Sequence, residues 1–331
     1  MLITQTPLRV SLAGGGTDLP DYYRHHGGAV LSTAIDKYVY VIINERYDDL
    51  IYIDYSRKEI VGSIDEIEHD LVREAARVTG MTNGFEVAMM ADIPSEGSGL
   101  GSSSSVTVGL LNAFHQYRGH QAPPEQLAEE ACRIEIEILG RPIGRQDQYI
   151  AAYGGLQFIE FSSVDGADVV TVDPIAVPAA ELRHLGSNLL LFFTAIVRKS
   201  ASILAEQKER IVDTVALHDG IKQLAFDAHK AICGGNHDEI GAILAKNWRL
   251  KRELASGISN PEIDTMVENA SQSGAIGGKI SGAGGGGFLL CYCRREMQEG
   301  LRSALTDYRE MPFMLDPFGS RVIFQQRRYP W

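Results

Sequence analysis

The residues of this chain that are equipped for chemistry fall in three glycine-rich segments and in one acidic stretch between the second and the third. The segments are Gly14-Gly15-Gly16-Thr17-Asp18, Pro94-Ser95-Glu96-Gly97-Ser98-Gly99-Leu100-Gly101-Ser102-Ser103-Ser104-Ser105 and Lys279-Ile280-Ser281-Gly282-Ala283-Gly284-Gly285-Gly286-Gly287-Phe288. The middle run can present successive backbone N–H groups and then open a helix. Amide donors and the positive end of a helix dipole together make an anion pocket, and the chemistry that suits it is phosphate chemistry. Phosphoryl transfer also needs a divalent cation, a positioned nucleophile and donors for the charge on the transferred group. The serines at 102–105 offer hydroxyls to Mg²⁺, a hard ion satisfied by a few protein oxygens plus phosphate and water. Glu135 or Glu137 could hold that metal. Asp147, in a turn-like segment between Gly144 and Gly154-Gly155, could face the substrate.

Two other glycine chemistries fail on context. Gly282 to Gly287 matches G-x-G-x-x-G, but a strand-like run follows where dinucleotide binding requires a helix, and Gly277-Gly278-Lys279-Ile280 lacks the Ser or Thr after lysine of a Walker loop.

The elements that must position these groups can be read from periodicity and punctuation. The opening third reads mostly as strands, notably 38–43, 50–53 and 85–90, which are β-branched, aromatic or alternating. From Ser103 to about Tyr117 the period becomes helical, with Val106, Leu110, Ala113 and Tyr117 on one face. A second helix starts at Pro123-Pro124 and runs through Ile138 until Gly140 and Pro142 stop it. Both Glu135 and Glu137 flank its apolar stripe, so helical phase does not choose between them. After a strand at 155–161, the polar and then proline-bearing segment 162–180, punctuated by Asp165-Gly166, reads as the transition between two domains, 1–175 and 176–331. The second half offers an apolar run at 189–193, helices around 200–255 and 261–273, and a strand at 288–293, an α+β order. Cys291 and Cys293 fit that buried strand better than a metal site.

The net charge of −12 opposes a nucleic-acid role, which rests on Lys and Arg neutralising phosphates. No apolar run reaches membrane-spanning length and no signal-like N-terminus is present, so a cytoplasmic protein is expected, with homo-oligomerisation left open. An anionic substrate must therefore be held by local donors. Arg198 and Lys199, where a strand gives way to a helix, are candidates for anchoring a substrate phosphate.

With three motifs in this order, from Pro7-Leu8-Arg9-Val10 to Gly287, the chain resembles the GHMP kinase superfamily. The resemblance implies a ribosomal protein S5-like N-terminal domain, a ferredoxin-like C-terminal domain and an active site between them, with ATP and Mg²⁺ as cofactors. By the same resemblance, loop 94–105 wraps the ATP phosphates, Ser104 or a neighbour binds Mg²⁺ together with Glu135, Asp147 contacts the accepting hydroxyl, and Arg9 neutralises charge beside it. Asp18 bonds sugar hydroxyls, and 281–286 closes over the ligands. Gly-Gly-Gly-Thr-Asp-Leu-Pro in place of the galactokinase Gly-Glu-His, together with Ile35-Asp36-Lys37-Tyr38 and Gln146-Asp147-Gln148-Tyr149, is similar to D-glycero-D-manno-heptose 7-phosphate kinases, and fucokinase kinase domains share part of it. That implies ATP-dependent phosphorylation of the C1 hydroxyl of a sugar phosphate, with Gly16, Thr17, Asp18, Asp36, Gln148, Tyr149, Ser281, Gly282, Ala283 and Gly284 among the substrate-binding set. The alternatives are a kinase for another sugar such as L-fucose and a catalytically silent regulator that binds ATP and sugar. The presence of Arg9, Glu135 and Asp147 opposes the second.

Overall fold

Alternating apolar residues from Leu2 to Glu45 build two long antiparallel strands that carry the rest of the molecule. The computed structural model describes residues 1–94, 97–196 and 200–326. In chain order β1 is Leu2–Ala13, α1 Pro20–His26, β2 Gly28–Glu45, β3 Ile51–Asp54, β4 Lys58–Val61, α2 Asp70–Thr79, β5 Phe85–Ala91, α3 Ser102–Tyr117, α4 Pro124–Cys132 and α5 Gln146–Tyr153. Then come β6 Leu156–Val164, β7 Ala167–Pro174, α6 Ala179–Ser187, β8 Leu189–Phe193, α7 Ser200–Glu209, α8 Val215–Cys233, α9 Asp238–Lys251 and α10 Pro261–Gln272. The chain closes with β9 Ala275–Ile280, β10 Phe288–Cys293, α11 Gln298–Ala304, β11 Arg309–Glu310 and β12 Arg321–Gln325.

The first sheet has the order β12-β1-β2-β5-β3-β4, with β6 and β7 added beside β2. Strand β2 is long enough to pair twice on one edge, with β6 through Gly28–Thr33 and with β5 through Val39–Glu45, while β1 runs antiparallel along its other edge. Helices α3 and α5 pack on β1 and β2, and α2 and α4 pack on α3. The second sheet runs β11-β8-β10-β9, antiparallel throughout. With its helices it follows β-α-β-β-α-β order, the ferredoxin-like arrangement. Helices α9 and α10 cover this sheet, and α8 and α9 also touch β1, so the core beneath the first sheet continues through Leu224, Ala228, Ile240 and Leu290. No helix among the described residues is long and apolar enough to cross a membrane.

Three regions depart from the sequence-based expectation. The opening third contains two helices: α1, with Pro20 in its first turn, and α2, whose Leu71, Val72, Ala75, Ala76 and Thr79 form a buried face and which ends at Gly80 in the left-handed region. Within the segment 162–180, Asp165 and Gly166, both at positive φ, make the tight turn of a β6–β7 hairpin that the sequence reading did not anticipate. The helix expected to reach Ile138 changes at Arg133 into a π-helical turn, Arg133–Ile138. The division near residue 175 falls between β7 and α6, but the end of the chain crosses back, because β12 pairs with β1.

Candidate active site

The loop before α3 ends at Gly101, and Ser102 starts the helix, so the first turn of α3 points its backbone N–H groups at a cavity of about 360 Å³. Gly97, Ser98, Gly99, Gly101 and Ser102–Ser104 line this cavity. Leu100 and Ser105 turn away. Leu100 is fully buried with its carbonyl accepting from Arg9 N (3.0 Å), and the Ser105 hydroxyl donates to Pro7 O at 2.8 Å. Pro94 is exposed and outside the lining. Glu96, Arg198 and Lys199 lie outside the described residues.

The π-helical turn separates two carboxylates that an ordinary helical phase leaves equivalent. Glu137 is exposed, with Arg145 at 3.7 Å, whereas Glu135 is fully buried. Ser103 Oγ (2.6 Å), Ser104 Oγ (2.7 Å), Gln148 Nε2 (2.7 Å) and Arg141 Nη1 (3.2 Å) all donate to the Glu135 carboxylate. Burial pushes this carboxyl above its usual value, and the serine hydroxyls oppose that shift. One carboxylate with adjacent hydroxyls is an all-oxygen donor set. It fits Mg²⁺, which keeps waters and phosphate oxygens in its shell and takes few protein ligands.

Asp147 lies in the first turn of α5 and reaches back to β1. Arg9 grips it with two parallel bonds, Nε to Oδ1 at 2.7 Å and Nη2 to Oδ2 at 2.6 Å, a planar fork that fixes the carboxylate plane. Arg9 Nη1 donates to Gly99 O at 2.6 Å, so one guanidinium ties the acidic residue to the glycine loop. Asp18 is buried nearby and accepts from Gly16 N (2.9 Å) and Gln146 N (3.1 Å). Burial raises its carboxyl above the usual value, while the bond from Gln146 N holds it down. A Cβ at Gly144 would stand 2.0 Å from Asp18 Oδ2, so only glycine admits this carboxylate. Ahead of Gln146, Arg145 Nη2 donates to Asp168 Oδ2 (2.6 Å), which lets the β6–β7 hairpin brace the start of α5.

Ser281, Gly282, Ala283 and Gly284 line the cavity from the second sheet, and Gly16 and Asp18 from the first. Four expected substrate contacts fall elsewhere. The Thr17 hydroxyl donates to Gly14 O (2.8 Å) and accepts from Ala29 N (3.1 Å), locking a buried turn. Asp36 binds Met314 N at 2.8 Å and Lys37, away from the cavity. Gln148 serves Glu135, and Tyr149 is 3% exposed, packed against Tyr153. Sequence reasoning also missed cavity residues: Ser11, Arg141, Gln207 and Lys251 line it, and so does Lys279, read from the sequence only as the start of a glycine signature. The readable signal for Lys251 was its phase, since Leu244, Trp248 and Lys251 share the buried face of α9.

A family profile for the GHMP kinases N terminal domain matches residues 60–155, and one for the GHMP kinases C terminal region matches residues 228–308. The D-glycero-alpha-D-manno-heptose 7-phosphate kinase of Campylobacter jejuni is 33% identical over 316 residues, covering 91% of this chain and 92% of that protein. An L-fucokinase/L-fucose-1-P guanylyltransferase of Bacteroides fragilis is 27% identical over 93% of this chain and 36% of its own length. Among solved structures, a D-glycero-D-manno-heptose 1-phosphate kinase from Bacteroides thetaiotaomicron superposes with a TM-score of 0.82 at 27% identity, covering 99% of this chain and 100% of that one. Three glycine segments meeting in one cavity between two sheets, and both family profiles matched in order, lead to one conclusion: the chain belongs to the GHMP kinases.

Proposed function

We propose that the chain is an ATP-dependent sugar kinase that phosphorylates the C1 hydroxyl of D-glycero-D-manno-heptose 7-phosphate. The product would be the 1,7-bisphosphate, which leads to nucleotide-activated heptose for surface polysaccharide. The observation that carries this reading is the Asp147 carboxylate, held by Arg9 at the same cavity as the glycine loop and Asp18. The likeness to the C. jejuni relative supports the choice of sugar.

In this reading Asp147 orients the C1 hydroxyl and takes its proton as that oxygen bonds to the γ-phosphorus. The bond from the γ-phosphorus to its bridging oxygen then breaks, and ADP leaves. An anomeric hydroxyl is more acidic than an ordinary alcohol, which eases the transfer. Arg9 keeps both carboxylate oxygens in plane, and the N–H groups at 97–104 hold phosphate oxygens. Asp18 accepts hydroxyls of the sugar, and residues 281–284 close the phosphate side. Ser104 and Glu135 would hold Mg²⁺, which when bound neutralises charge on the phosphate oxygens. We assign the ATP side to 1–175 together with the returning strand β12, the remainder to the second domain, and the activity to the cytoplasm.

Glu135→Gln keeps the shape but removes the charge and turns an NH₂ toward a donor, because all four of its partners donate. Its expected result is an apparent KM for Mg²⁺ raised about tenfold at fixed ATP, consistent with the loss of about 1.4 kcal/mol of binding. A Mg²⁺ titration of the initial rate measures this, and an unchanged KM would remove Glu135 from the metal site.

The direct test of the activity is ADP release with Mg²⁺-ATP against heptose 7-phosphate, heptose 1-phosphate, L-fucose, mannose and galactose, with NMR locating the new phosphate. Selective turnover of heptose 7-phosphate at C1 supports the proposal. The B. fragilis likeness favours L-fucose as the second reading, and turnover of that free sugar would move the assignment to it.

A further inference from the structure

Two lysines at the cavity are not used by the chemistry above. Lys251 closes α9 and Lys279 lies on β9; they are 7% and 3% exposed, and both line the cavity. Lys251 Nζ donates to Ile280 O at 3.0 Å and to Gly282 O, which leaves one of its three N–H bonds uncommitted. Lys279 Nζ has Asn247 Oδ1 at 3.4 Å. Between the two carbonyls that Lys251 binds sits Ser281, 2% exposed, whose hydroxyl has no hydrogen-bond partner among the described residues.

The local charge is unbalanced. Among the described residues neither lysine is paired with a carboxylate, and Asp147, which lines the same cavity, is already gripped by Arg9. Arg9 in turn has three of its five N–H bonds committed to Asp147 and Gly99 O, and its charge is balanced by the Asp147 carboxylate. Burying unpaired ammonium groups is costly, which makes such a site a receptor for an anion. Hydroxyl and ammonium donors converging where backbone carbonyls are already satisfied suit phosphate oxygens.

We propose that Lys251, Lys279 and the Ser281 hydroxyl form a phosphate-oxygen subsite, built from α9 and β9 and separate from the amide cradle at 97–104. The proposal deepens the kinase reading and rests on it for the identity of the ligands. Its occupant is either the γ-phosphoryl group of the donor or the phosphate already carried by the sugar.

Binding at this subsite is coupled to a proton. Burial, and then the nearby charge of Arg9, push the Lys251 ammonium down to about 7, and burial together with Lys251 and Arg9 holds Lys279 well below the ordinary lysine value. The charged groups around Lys251 are Lys279 from β9, Arg9 from β1 and, through Arg9, Asp147 from α5. Between pH 7 and the ordinary lysine value the unfolded chain holds a proton that the folded site lacks, so stability rises with pH across that window. A bound phosphate restores the proton. Ligand affinity therefore falls as pH rises above about 7, by up to about tenfold per pH unit for one linked proton.

The experiment is calorimetric titration of the full chain at pH 8 in two buffers of different ionisation heat, using Mg-ATP, Mg-ADP, heptose 7-phosphate and inorganic phosphate separately. The expected result is a proton uptake that falls by about one proton in Lys251→Met. Lys251→Arg should keep the affinity without the uptake, a separation that a merely structural lysine would not give. Uptake with Mg-ATP but not Mg-ADP assigns the γ-phosphoryl group, and uptake with heptose 7-phosphate assigns the acceptor's own phosphate. Where Lys251→Met does not fold, Lys279→Met carries the test through a tenfold or greater rise in KM for the same ligand. Ligands that bind with no Lys251-dependent uptake overturn the subsite and leave the kinase reading standing. Should neither ATP nor heptose phosphate bind, the kinase reading fails and inorganic phosphate decides the subsite, with Lys251-dependent uptake supporting it and none overturning it.

Discussion

Asp147→Asn is expected to lower kcat by about 10²–10⁴-fold, the range for a positioned general base, while ATP affinity stays within about twofold. Asparagine keeps the size and one acceptor oxygen. It loses the proton acceptor, and it sets an NH₂ against the Arg9 fork that now meets Oδ1 and Oδ2 at 2.7 and 2.6 Å. Both defects act at the acceptor hydroxyl. The ATP side keeps the Arg9 bond to Gly99 O. Arg9→Met is the companion variant, since it leaves the base but frees its carboxylate to rotate. If base and clamp work as one unit, the double variant costs about as much as Asp147→Asn alone. Rates by coupled ADP assay and ATP affinity by calorimetry measure both quantities, and near-full activity of Asp147→Asn would take the residue out of the proposed mechanism.

How much of this arrangement was legible in the sequence depends on whether the deciding force is local. The glycine loop feeding α3, the strand at 288–293 and the helices of the second half follow from periodicity and punctuation, and the structure has them. Helix α2 was equally legible, since Leu71, Val72, Ala75 and Ala76 repeat at helical spacing, but the β-branched runs around it set the reading of that region. Strand β7 was obscured because it is a largely exposed edge strand, half-buried only on the face of Val170 and Val172. The choice of Glu135 over Glu137 is a tertiary matter: a π-helical turn and four donors from three other segments decide it. Lys251 stands in the basic run Arg249-Leu250-Lys251-Arg252, and although its phase sets it on the buried face of α9, its place at the cavity is decided by tertiary packing. Asp36, Gln148 and Tyr149 show the converse. They are polar or aromatic residues near motif positions, and the fold gives them other partners.

Gly99→Ala is expected to lower kcat/KM for ATP by at least about 100-fold, because it strikes the point where the second and third glycine segments touch. Gly99 has φ +71°, and a Cβ there would stand 2.5 Å from Ser281 O; Gly282 has φ +66°, and its Cβ would stand 2.6 Å from Gly99 Cα. The two loops meet backbone to backbone, with no side chain that can yield, so a methyl group must drive them apart. That displacement moves the carbonyl that holds Arg9 and the carbonyls that hold Lys251, and shifts of about 1 Å in positioning groups can cost 10²-fold in rate. The conformational strain itself is the smaller effect, and a control isolates it. Gly140 also has a positive φ, +63°, but nothing lies within 4 Å of its Cβ position, so Gly140→Ala carries the strain of about 1–2 kcal/mol without the collision. Gly140→Ala should lower the melting temperature and leave kcat/KM within a few-fold, while Gly99→Ala should lose activity out of proportion to any loss of stability. Equal activities for the two variants would mean that contact between the loops does not position the reacting groups, and the assignment of 281–284 to the closed phosphate site would fall with it.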